Sequence, residues 1–457
     1  MSVLKSSKTK IAAVAAASVL SIGIFSGIEF GQADKAEAKK KPKNDVQNVI
    51  VLIGDGMGTP YLSTYRSFKH NGDLSKQTAF DPYLTGMHKT YPDDSKSNIT
   101  DSAAAGTAMA TGKKTYNNAI SVNKNGKKLK TVLEEAKRKG KSTGLVVTSE
   151  LTNATPAAYA AHNVSRKNTA AIADNFFDEK IGKQHTVDVM LGGGLIDFVR
   201  KDRDLTKEFK KAGYDYVTNK AALQKNKNQK VLGLFADGGL DKAIDRDKNT
   251  PSLQDMTSSA IKQLSKNKKG FFLMVEGSQI DWAGHDHDIV SAMSEVKDFE
   301  NAFEEAIRFA KKDKNTLVIT TADHSTGGLS FGADGSGSWD YKPVKAAKKT
   351  PDFIADKIAG GMTVESALKQ YIELDFTKEE IASIQKAAET KDVVQIDDAI
   401  EEVINTRSHT GWTTSGHTGD EVPFYAYGPT SQQLKGLMEN TDQAKHIFKL
   451  LKKPITL

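Results

Sequence analysis

Apolar runs of strand length that end directly in acids, histidines or glycines constrain the fold of this chain more than any other feature. Such runs are Phe271–Val275, Asn48–Ile53 and Thr316–Thr321. The first leads into Glu276, the second into the sequence GDGMG, and the third into Asp323 and a histidine. Uninterrupted apolar runs are typical of strands buried on both faces of a parallel sheet. Because ligands bind at the carboxyl ends of such strands, we expect the polar side chains to meet at one sheet edge.

Helical segments separate the apolar runs. Thr131 and Glu134 form a capping-box pattern before a short helix, and the apolar run Gly144–Ser149 follows it. Ile289–Lys312 has the periodicity of a long amphipathic helix. This alternation predicts an α/β fold with a large, mostly parallel central sheet and helices on both faces, a three-layer αβα arrangement. We interpret the lysine-rich residues 200–250 as peripheral helices and loops.

The first 38 residues have the pattern of a secretory signal peptide. Lysines precede the uncharged run 11–28, and Ala36-Glu37-Ala38 fits a small-x-small cleavage site. We predict cleavage after Ala38, which would leave 39–457 as a single exported catalytic domain, secreted or associated with the cell envelope, without a stable membrane span. The alternative is a retained signal anchor, because the uncharged run is at the lower length limit of a membrane span.

Composition excludes several kinds of site. The chain contains no cysteine, so disulfides, thiolate ligands and a cysteine nucleophile are excluded, and any metal must be held by His, Asp, Glu or Thr. The net charge is +7 at pH 7. Its lysines are scattered and form no aromatic-interleaved stripe, so we predict a solvated basic surface without nucleic-acid specificity.

The stretch that follows Phe271–Val275 carries candidate metal ligands. Asp281 and His285 are spaced i and i+4, which places them on one face of a helix. A carboxylate and an imidazole on one face suit zinc. The alternative is a strand, a turn and a capped helix whose charges are solvated.

Other acids and histidines also follow strands. Asp55 lies between glycines after Asn48–Ile53, where it is either a turn residue or a ligand, and His324 follows Asp323. His417 lies ahead of an apolar run, and His409 is its competitor. The candidate ligands at the predicted edge are Asp55, Glu276, Asp281, His285, Asp323, His324 and His417. So many acids and histidines indicate a cluster of metals, and two zinc-type sites about 4 Å apart are known to support in-line phosphoryl displacement.

The sequence NITDSAAAGTAMATG supplies a candidate nucleophile. Asp101 or Ser102 would cap a helix of small residues, and a serine at a helix N-terminus lies where an anion is favoured. No Ser-His-Asp spacing is evident, so the candidate activator is a metal. Thr155 and Arg166 follow Gly144–Ser149, and Arg166 is either a surface residue or a bidentate clamp for an oxyanion.

Taken together, these motifs resemble the alkaline phosphatase family. GDGMG, TDSAAAGTAMATG, ATPAAYAAHNVSR, EGSQIDWAGH, TADH and SGHTGDEVPFYAYGP occur in the family's order and cover most of the chain after residue 38. The resemblance implies hydrolysis of small-molecule phosphomonoesters, with release of inorganic phosphate, through a phosphoserine intermediate. It also carries the expectation of a homodimer.

The resemblance also implies a role for each site residue. Ser102 would be the nucleophile, activated by one zinc, and Arg166 would clamp the phosphoryl oxygens. The implied ligands are Asp281, His285 and His417 for one zinc, Asp55, Asp323 and His324 for the second, and Asp55, Thr155 and Glu276 for magnesium. The remaining histidines considered match no ligand position and are predicted to be structural: His162, His287 and His409.

Two positions depart from the enterobacterial pattern. Asn153 stands where family members commonly carry Asp or His, and Trp282 stands where Lys may occur. Both bear on how tightly magnesium and phosphate are held, and neither touches the nucleophile. The alternative functions are a phosphodiesterase of the same superfamily and a non-catalytic protein that binds phosphate or metal at a surface.

Overall fold

Strands form the centre of the chain in the computed structural model, which describes residues 46–452; the predicted signal segment lies outside this range. In chain order the strands are β1 (Asn48–Gly54), β2 (Leu84–Lys89), β3 (Ser142–Glu150), β4 (Lys180–Ile181), β5 (Gln184–His185), β6 (Val189–Gly193), β7 (Asp215–Val217), β8 (Val231–Leu234), β9 (Phe271–Gly277), β10 (Thr316–Thr321), β11 (Ser325–Thr326), β12 (Ser330–Phe331), β13 (Thr410–Gly411), β14 (His417–Thr418), β15 (Val422–Tyr427) and β16 (Gly436–Glu439).

The helices alternate with the strands through most of the chain. They are α1 (Thr59–Lys69), α2 (Ser102–Thr111), α3 (Val132–Arg138), α4 (Ala154–Ala160), α5 (Thr169–Asp178), α6 (Leu195–Phe198), α7 (Leu205–Lys211), α8 (Lys220–Lys225), α9 (Leu253–Leu264), α10 (Gln279–Asp286), α11 (Ile289–Asp313), α12 (Lys342–Ala346), α13 (Pro351–Ala359), α14 (Val364–Tyr371), α15 (Lys378–Ala388), α16 (Val393–Ser408) and α17 (Thr441–Leu451). The capping box predicted from Thr131 and Glu134 starts α3.

Ten strands form one sheet in the order β16-β2-β15-β10-β1-β9-β3-β6-β8-β7. Every neighbouring pair is parallel except the two that involve β15, which runs antiparallel to both β10 and β2. The prediction of a mostly parallel α/β sheet is therefore confirmed.

Side chains of the central strands alternate between two cores, one on each face of the sheet. On β1, Ile50 and Leu52 belong to the core that also includes residues of α9, α11, α13 and α16. Val49 and Val51 belong to the core that includes residues of α2, α3, α4 and α17. Each fully buried aliphatic side chain contributes about 1.5–3 kcal/mol. Helices on both faces therefore hold the strand ends in fixed positions.

The outer strands were not predicted. The interpretation of residues 200–250 as peripheral helices and loops is wrong in part, because β7 and β8 extend the sheet at one edge. These strands have 3 and 4 residues, too few to show a periodic pattern. β16 and its neighbour β2, at the other edge, are only partly buried and lack a long apolar run.

The central strands β10, β1 and β9 are adjacent and in register at their carboxyl ends. Ile53 on β1 pairs with Thr321 on β10 and with Glu276 on β9. Glu276 and Gly277 are the last two residues of β9, so Glu276 ends the strand as the sequence indicated. Asp55 follows β1 directly, so the acids from three strands converge at one point of the sheet edge.

Candidate metal centre

Asp281 is the acid at the centre of a group of histidines. Helix α10 carries Asp281 and His285 on one face, as predicted, and His285 Nε2 lies 3.3 Å from Asp281 Oδ2. His417 Nε2 lies 3.5 Å from Asp281 Oδ1 and 3.2 Å from His285 Nε2. The structure thus brings together two imidazoles and one carboxylate, a donor set that suits zinc.

Backbone carbonyl groups fix the orientation of both imidazoles. His285 Nδ1 lies 2.6 Å from Ser415 O, and His417 Nδ1 lies 2.9 Å from Thr100 O. A carbonyl only accepts hydrogen bonds, so each Nδ1 carries a proton, and each Nε2 faces Asp281 and is the atom left to bind a metal. Metal-binding histidines in proteins are held in this way.

His324 is the imidazole of a second group, which contains two acids. Its Nε2 lies 3.2 Å from Asp323 Oδ2 and 3.5 Å from Asp55 Oδ1. Asp323 Oδ1 accepts hydrogen bonds from the backbone N–H groups of Gly56 and His324, at 3.1 Å and 3.0 Å. These bonds leave Asp323 Oδ2 directed at the imidazole. The two groups adjoin, because His324 also lies within reach of Asp281 and His417.

Ser102 is the first residue of α2 and lies beside the second group. Its Oγ is 3.2 Å from His324 Nε2, and the residue is 2% exposed. Asp101 caps the helix, since its side chain accepts the N–H of Ala104. The prediction left the cap open between Asp101 and Ser102, and this cap leaves the Ser102 hydroxyl available. The N–H groups of the first turn also favour an anion at this position.

Arg166 is held above the start of α2 by two side chains. Its guanidinium donates from Nη1 to Asp101 Oδ2 at 3.4 Å and from Nη2 to Asn153 Oδ1 at 3.2 Å. Asn153 is itself fixed, because its amide donates to Glu150 Oε2 at 3.1 Å. The Arg166 side chain remains 28% exposed. A guanidinium has five N–H donors, so these two contacts leave others for an oxyanion.

Glu276 and Thr155 are neighbours, and Glu276 lies next to Asp55, one of the two acids of the second group. Both Glu276 and Thr155 are fully buried, at 0% exposure. Ser278 and Thr155 are beside the Glu276 carboxylate. Even so, within residues 46–452 neither Oε atom of Glu276 nor Thr155 Oγ1 forms a hydrogen bond of ordinary geometry. Buried polar atoms without partners are rare in folded proteins and here point to a ligand.

The electrostatics of these acids also fit cations. Burial, together with the charges of Asp323 and Asp281, raises the pKa of Asp55 well above its usual range. Burial also raises the pKa of Glu276 to about 7 and that of Asp323 to about 6. Several buried carboxylates in contact cannot all be ionised without a compensating positive charge. Oxygen and imidazole donors in this number would be satisfied by divalent metals, so the residues fit the ions that the sequence implied.

Comparisons with known proteins identify the family of the chain. The family model for alkaline phosphatase matches residues 46–453. The chain is 62% identical over 455 residues to alkaline phosphatase 4 of Bacillus subtilis, with 99% of each chain covered. It is 37% identical over 447 residues to the alkaline phosphatase of Escherichia coli, covering 87% of this chain and 84% of that protein.

A solved structure gives the same result for the fold. The cold-active alkaline phosphatase from a psychrophilic Shewanella species matches with a TM-score of 0.84 and 41% identity, covering 89% of this chain and 100% of that one. The chain belongs to the alkaline phosphatase family. The predicted family and the predicted enzyme class are therefore confirmed, and with them the hydrolysis of phosphomonoesters. None of the helices in residues 46–452 has the length and apolar character needed to cross a membrane.

Sequence reasoning missed residues that orient the alkaline phosphatase site without being candidate ligands. Thr326 donates its hydroxyl to Asp281 Oδ1 and lies 3.2 Å from His324 Nδ1, so it bridges the two groups. It is placed there because β11 pairs with β14, where Thr326 is opposite His417. Asn153 was considered only for metal and phosphate affinity, whereas in the structure it positions Arg166. Two-residue strands and side-chain contacts of this kind leave no periodic signal in the sequence.

The three histidines predicted to be structural have other contacts. His162 lies between Leu129 O and Glu179 Oε2, at 3.0 Å and 3.1 Å. His287 Nε2 is 2.9 Å from Thr414 O, and His409 ends α16 in a left-handed conformation with φ of 57°. These contacts fit a structural role for all three.

We expect Gly56→Ala to lower the free energy of unfolding by about 2–4 kcal/mol. Gly56 has φ of +70°, and an added Cβ would lie 2.6 Å from Thr326 Oγ1 and 2.9 Å from Asp281 Cα. The substitution combines backbone strain with a clash against Thr326 and the candidate ligand Asp281. Gly182→Ala is the matched control, because Gly182 has φ of +62° and no atom of the described chain within 4 Å of an added Cβ. For Gly182→Ala we expect the free energy of unfolding to fall by about 1 kcal/mol. Equal losses for the two variants in urea unfolding would contradict the clash at Gly56.

Proposed function

We propose that this alkaline phosphatase family member hydrolyses phosphomonoesters through a phosphoserine intermediate on Ser102, at a centre that holds two zinc ions and one magnesium ion. The observation that carries the proposal is the 3.2 Å distance between Ser102 Oγ and His324 Nε2. It puts a hydroxyl nucleophile against a buried group of metal-type donors. In-line phosphoryl transfer needs a nucleophile in such a position.

The ligands divide by their chemistry. Asp281, His285 and His417 would hold one zinc, because two imidazoles and a carboxylate suit that ion. A second zinc would be held by His324, Asp323 and Asp55. Magnesium prefers oxygen, and the buried Glu276 carboxylate and Thr155 hydroxyl, with Asp55 shared, are oxygen donors. When bound, these ions would favour the alkoxide form of Ser102 and offset charge on the leaving oxygen.

The residues of the chain account for the remaining steps. Ser102 Oγ attacks the phosphorus in line with the ester oxygen, and the bond from phosphorus to the leaving alcohol breaks. Arg166 and the N–H groups at the start of α2 offset the charge on the transferring phosphoryl oxygens. Water then hydrolyses the phosphoserine, which releases inorganic phosphate and restores the serine hydroxyl.

The remaining expectations from the sequence become part of the proposal. We propose that residues 1–38 are a cleaved signal peptide, that 39–457 form a single catalytic domain, and that the mature enzyme is secreted or lies at the cell envelope. We also propose that it assembles as a homodimer, which sedimentation of the purified protein would test; a monomer at micromolar concentration would contradict that assignment.

Metal removal tests the proposed centre. We expect the protein to hydrolyse an aryl phosphomonoester when zinc and magnesium are present, and to lose at least about 100-fold in rate after treatment with EDTA. Re-addition of zinc together with magnesium should restore the rate. Rates that are indifferent to EDTA would overturn the proposal, and a higher rate on an aryl phosphodiester than on the monoester would favour the phosphodiesterase alternative. A loaded protein that hydrolyses neither ester would favour the non-catalytic alternative.

A further inference from the structure

A separate group of three carboxylates, two of them buried and one half-buried, begins at the residue after His285. Asp286 is the last residue of α10, and Asp397 and Glu401 lie on α16. Their spacing of i and i+4 puts Asp397 and Glu401 on one helical face. The three side chains offer carboxylate oxygens that all lie within 4.8 Å of one another. The group is separate from the metal centre, since it shares no residue with it.

Oxygens in this group are buried and lack protein partners. Asp397 is 3% exposed and Glu401 is 4% exposed. In the part of the chain that the structure covers, Asp397 Oδ1 and Glu401 Oε1 have no hydrogen-bond partner. A hydrogen-bonded carboxyl pair would satisfy such atoms, and so would a bound ion.

An amide oxygen one turn further along α16, Asn405 Oδ1, is also buried and has no hydrogen-bond partner in the described chain. Asn405 is 7% exposed, and its Nδ2 donates to His287 O at 3.0 Å. That bond fixes the side chain, yet Asn405 Oδ1 has no partner among residues 46–452. One proton shared between Asp397 and Glu401 would satisfy their two unpaired oxygens and would leave Asn405 Oδ1 without a donor. A cation would satisfy it together with the carboxylates.

Like charges surround the group. Burial and the neighbouring Asp352 and Asp288 raise the pKa of Asp397 to about 10. Burial and the charges of Asp288 and Asp397 raise the pKa of Glu401 to about 12. The charge of Lys242 acts to lower the pKa of Asp288 and of Asp286, but it is one positive charge against several acids. A divalent cation would supply the missing positive charge.

A cavity that opens to the surface gives access to the group. Asp286, Glu401 and Asn405 line a cavity of about 450 Å³. Its wall also includes Asp334 and Glu402, which are exposed. A hydrated ion could therefore enter from solvent and keep some of its water ligands.

We propose that Asp286, Asp397 and Glu401 bind a calcium ion, with Asn405 Oδ1 and water from the cavity as further ligands. Calcium takes six to eight oxygen ligands in flexible geometry and accepts carboxylates, amide oxygens and water. Magnesium sheds water reluctantly and is usually held by one or two carboxylates. Zinc is less suited, because the group contains neither imidazole nor thiolate. The ion would join the end of α10, the helix that carries Asp281 and His285, to α16.

Calcium binding to the full chain, loaded beforehand with zinc and magnesium, tests the proposal. Equilibrium dialysis against radioactive calcium should give one ion bound per chain, and millimolar calcium should raise Tm by at least about 2 °C. The double variant Asp397→Asn/Glu401→Gln should lose both effects while its zinc content stays unchanged. Glu379→Gln, at an exposed position on α15, is the matched control and should behave as the unsubstituted protein.

Three results would overturn the calcium site. They are the absence of bound calcium in the unsubstituted protein at millimolar concentration, equal binding by the double variant, and displacement of calcium by an equal concentration of magnesium. The first and third need no variant, so they decide the question even if the double variant fails to fold. None of the readouts uses phosphatase activity, so the calcium site and the proposed reaction can fail independently.

Discussion

Ser102→Ala is expected to lower kcat/KM for an aryl phosphomonoester by at least about 10³-fold, with the zinc content unchanged. Ser102 Oγ lies at the N-terminus of α2, 3.2 Å from His324 Nε2, and alanine has no atom that can bond to phosphorus. The donors that follow β1 and β10, and those on β9 and α10, remain in place in the variant. The measurement is the initial rate at saturating zinc and magnesium, alongside the metal content of the same sample.

Ser383→Ala is the control for this prediction. Ser383 is exposed on α15, and its hydroxyl donates only to the backbone oxygen of Glu380, so its loss should leave the rate unchanged. Acid quenching during turnover, followed by mass spectrometry, should find phosphate on the Ser102 peptide of the unsubstituted protein. Undiminished turnover by Ser102→Ala would show that the hydroxyl is not the nucleophile.

The centre of the fold could be predicted from the sequence because its strands are buried on both faces. β1, β9 and β10 are long enough to show as apolar runs, and each is followed or ended by an acid. Parallel strands must present these acids at one edge. The spacing of Asp281 and His285 likewise required only the helical repeat. Local patterns therefore sufficed for the elements that position the candidate ligands.

The remaining features depend on contacts between distant segments. His417 approaches Asp281 because the two-residue strands β11 and β14 pair across the site. Arg166 is positioned by Asp101 and Asn153, whose sequence signals are those of ordinary helix caps. The edge strand β7 has only three residues and begins with an aspartate. None of these features has a periodicity, and the carboxylates that approach α10 from α16 are visible only once the helices are packed.

Asp281→Asn should remove one zinc ion per chain and lower kcat/KM by at least about 100-fold. Asp281 is the only acid in the described chain within 4 Å of the imidazoles of both His285 and His417. Asparagine keeps the shape and the bond from Thr326 but carries no charge. The neutral imidazoles and the amide would then offer a much weaker site for a divalent cation.

The control for Asp281→Asn separates loss of the ligand from loss of the fold. Asp375→Asn removes a carboxylate at an exposed position and should change neither zinc content nor rate. In Asp281→Asn, excess zinc should restore part of the activity, because a weakened site refills by mass action, whereas Ser102→Ala should stay inactive at any zinc concentration. Full zinc content in Asp281→Asn would mean that His285 and His417 bind without this acid. The role assigned to Asp281 would then be wrong, while the role of Ser102 would stand.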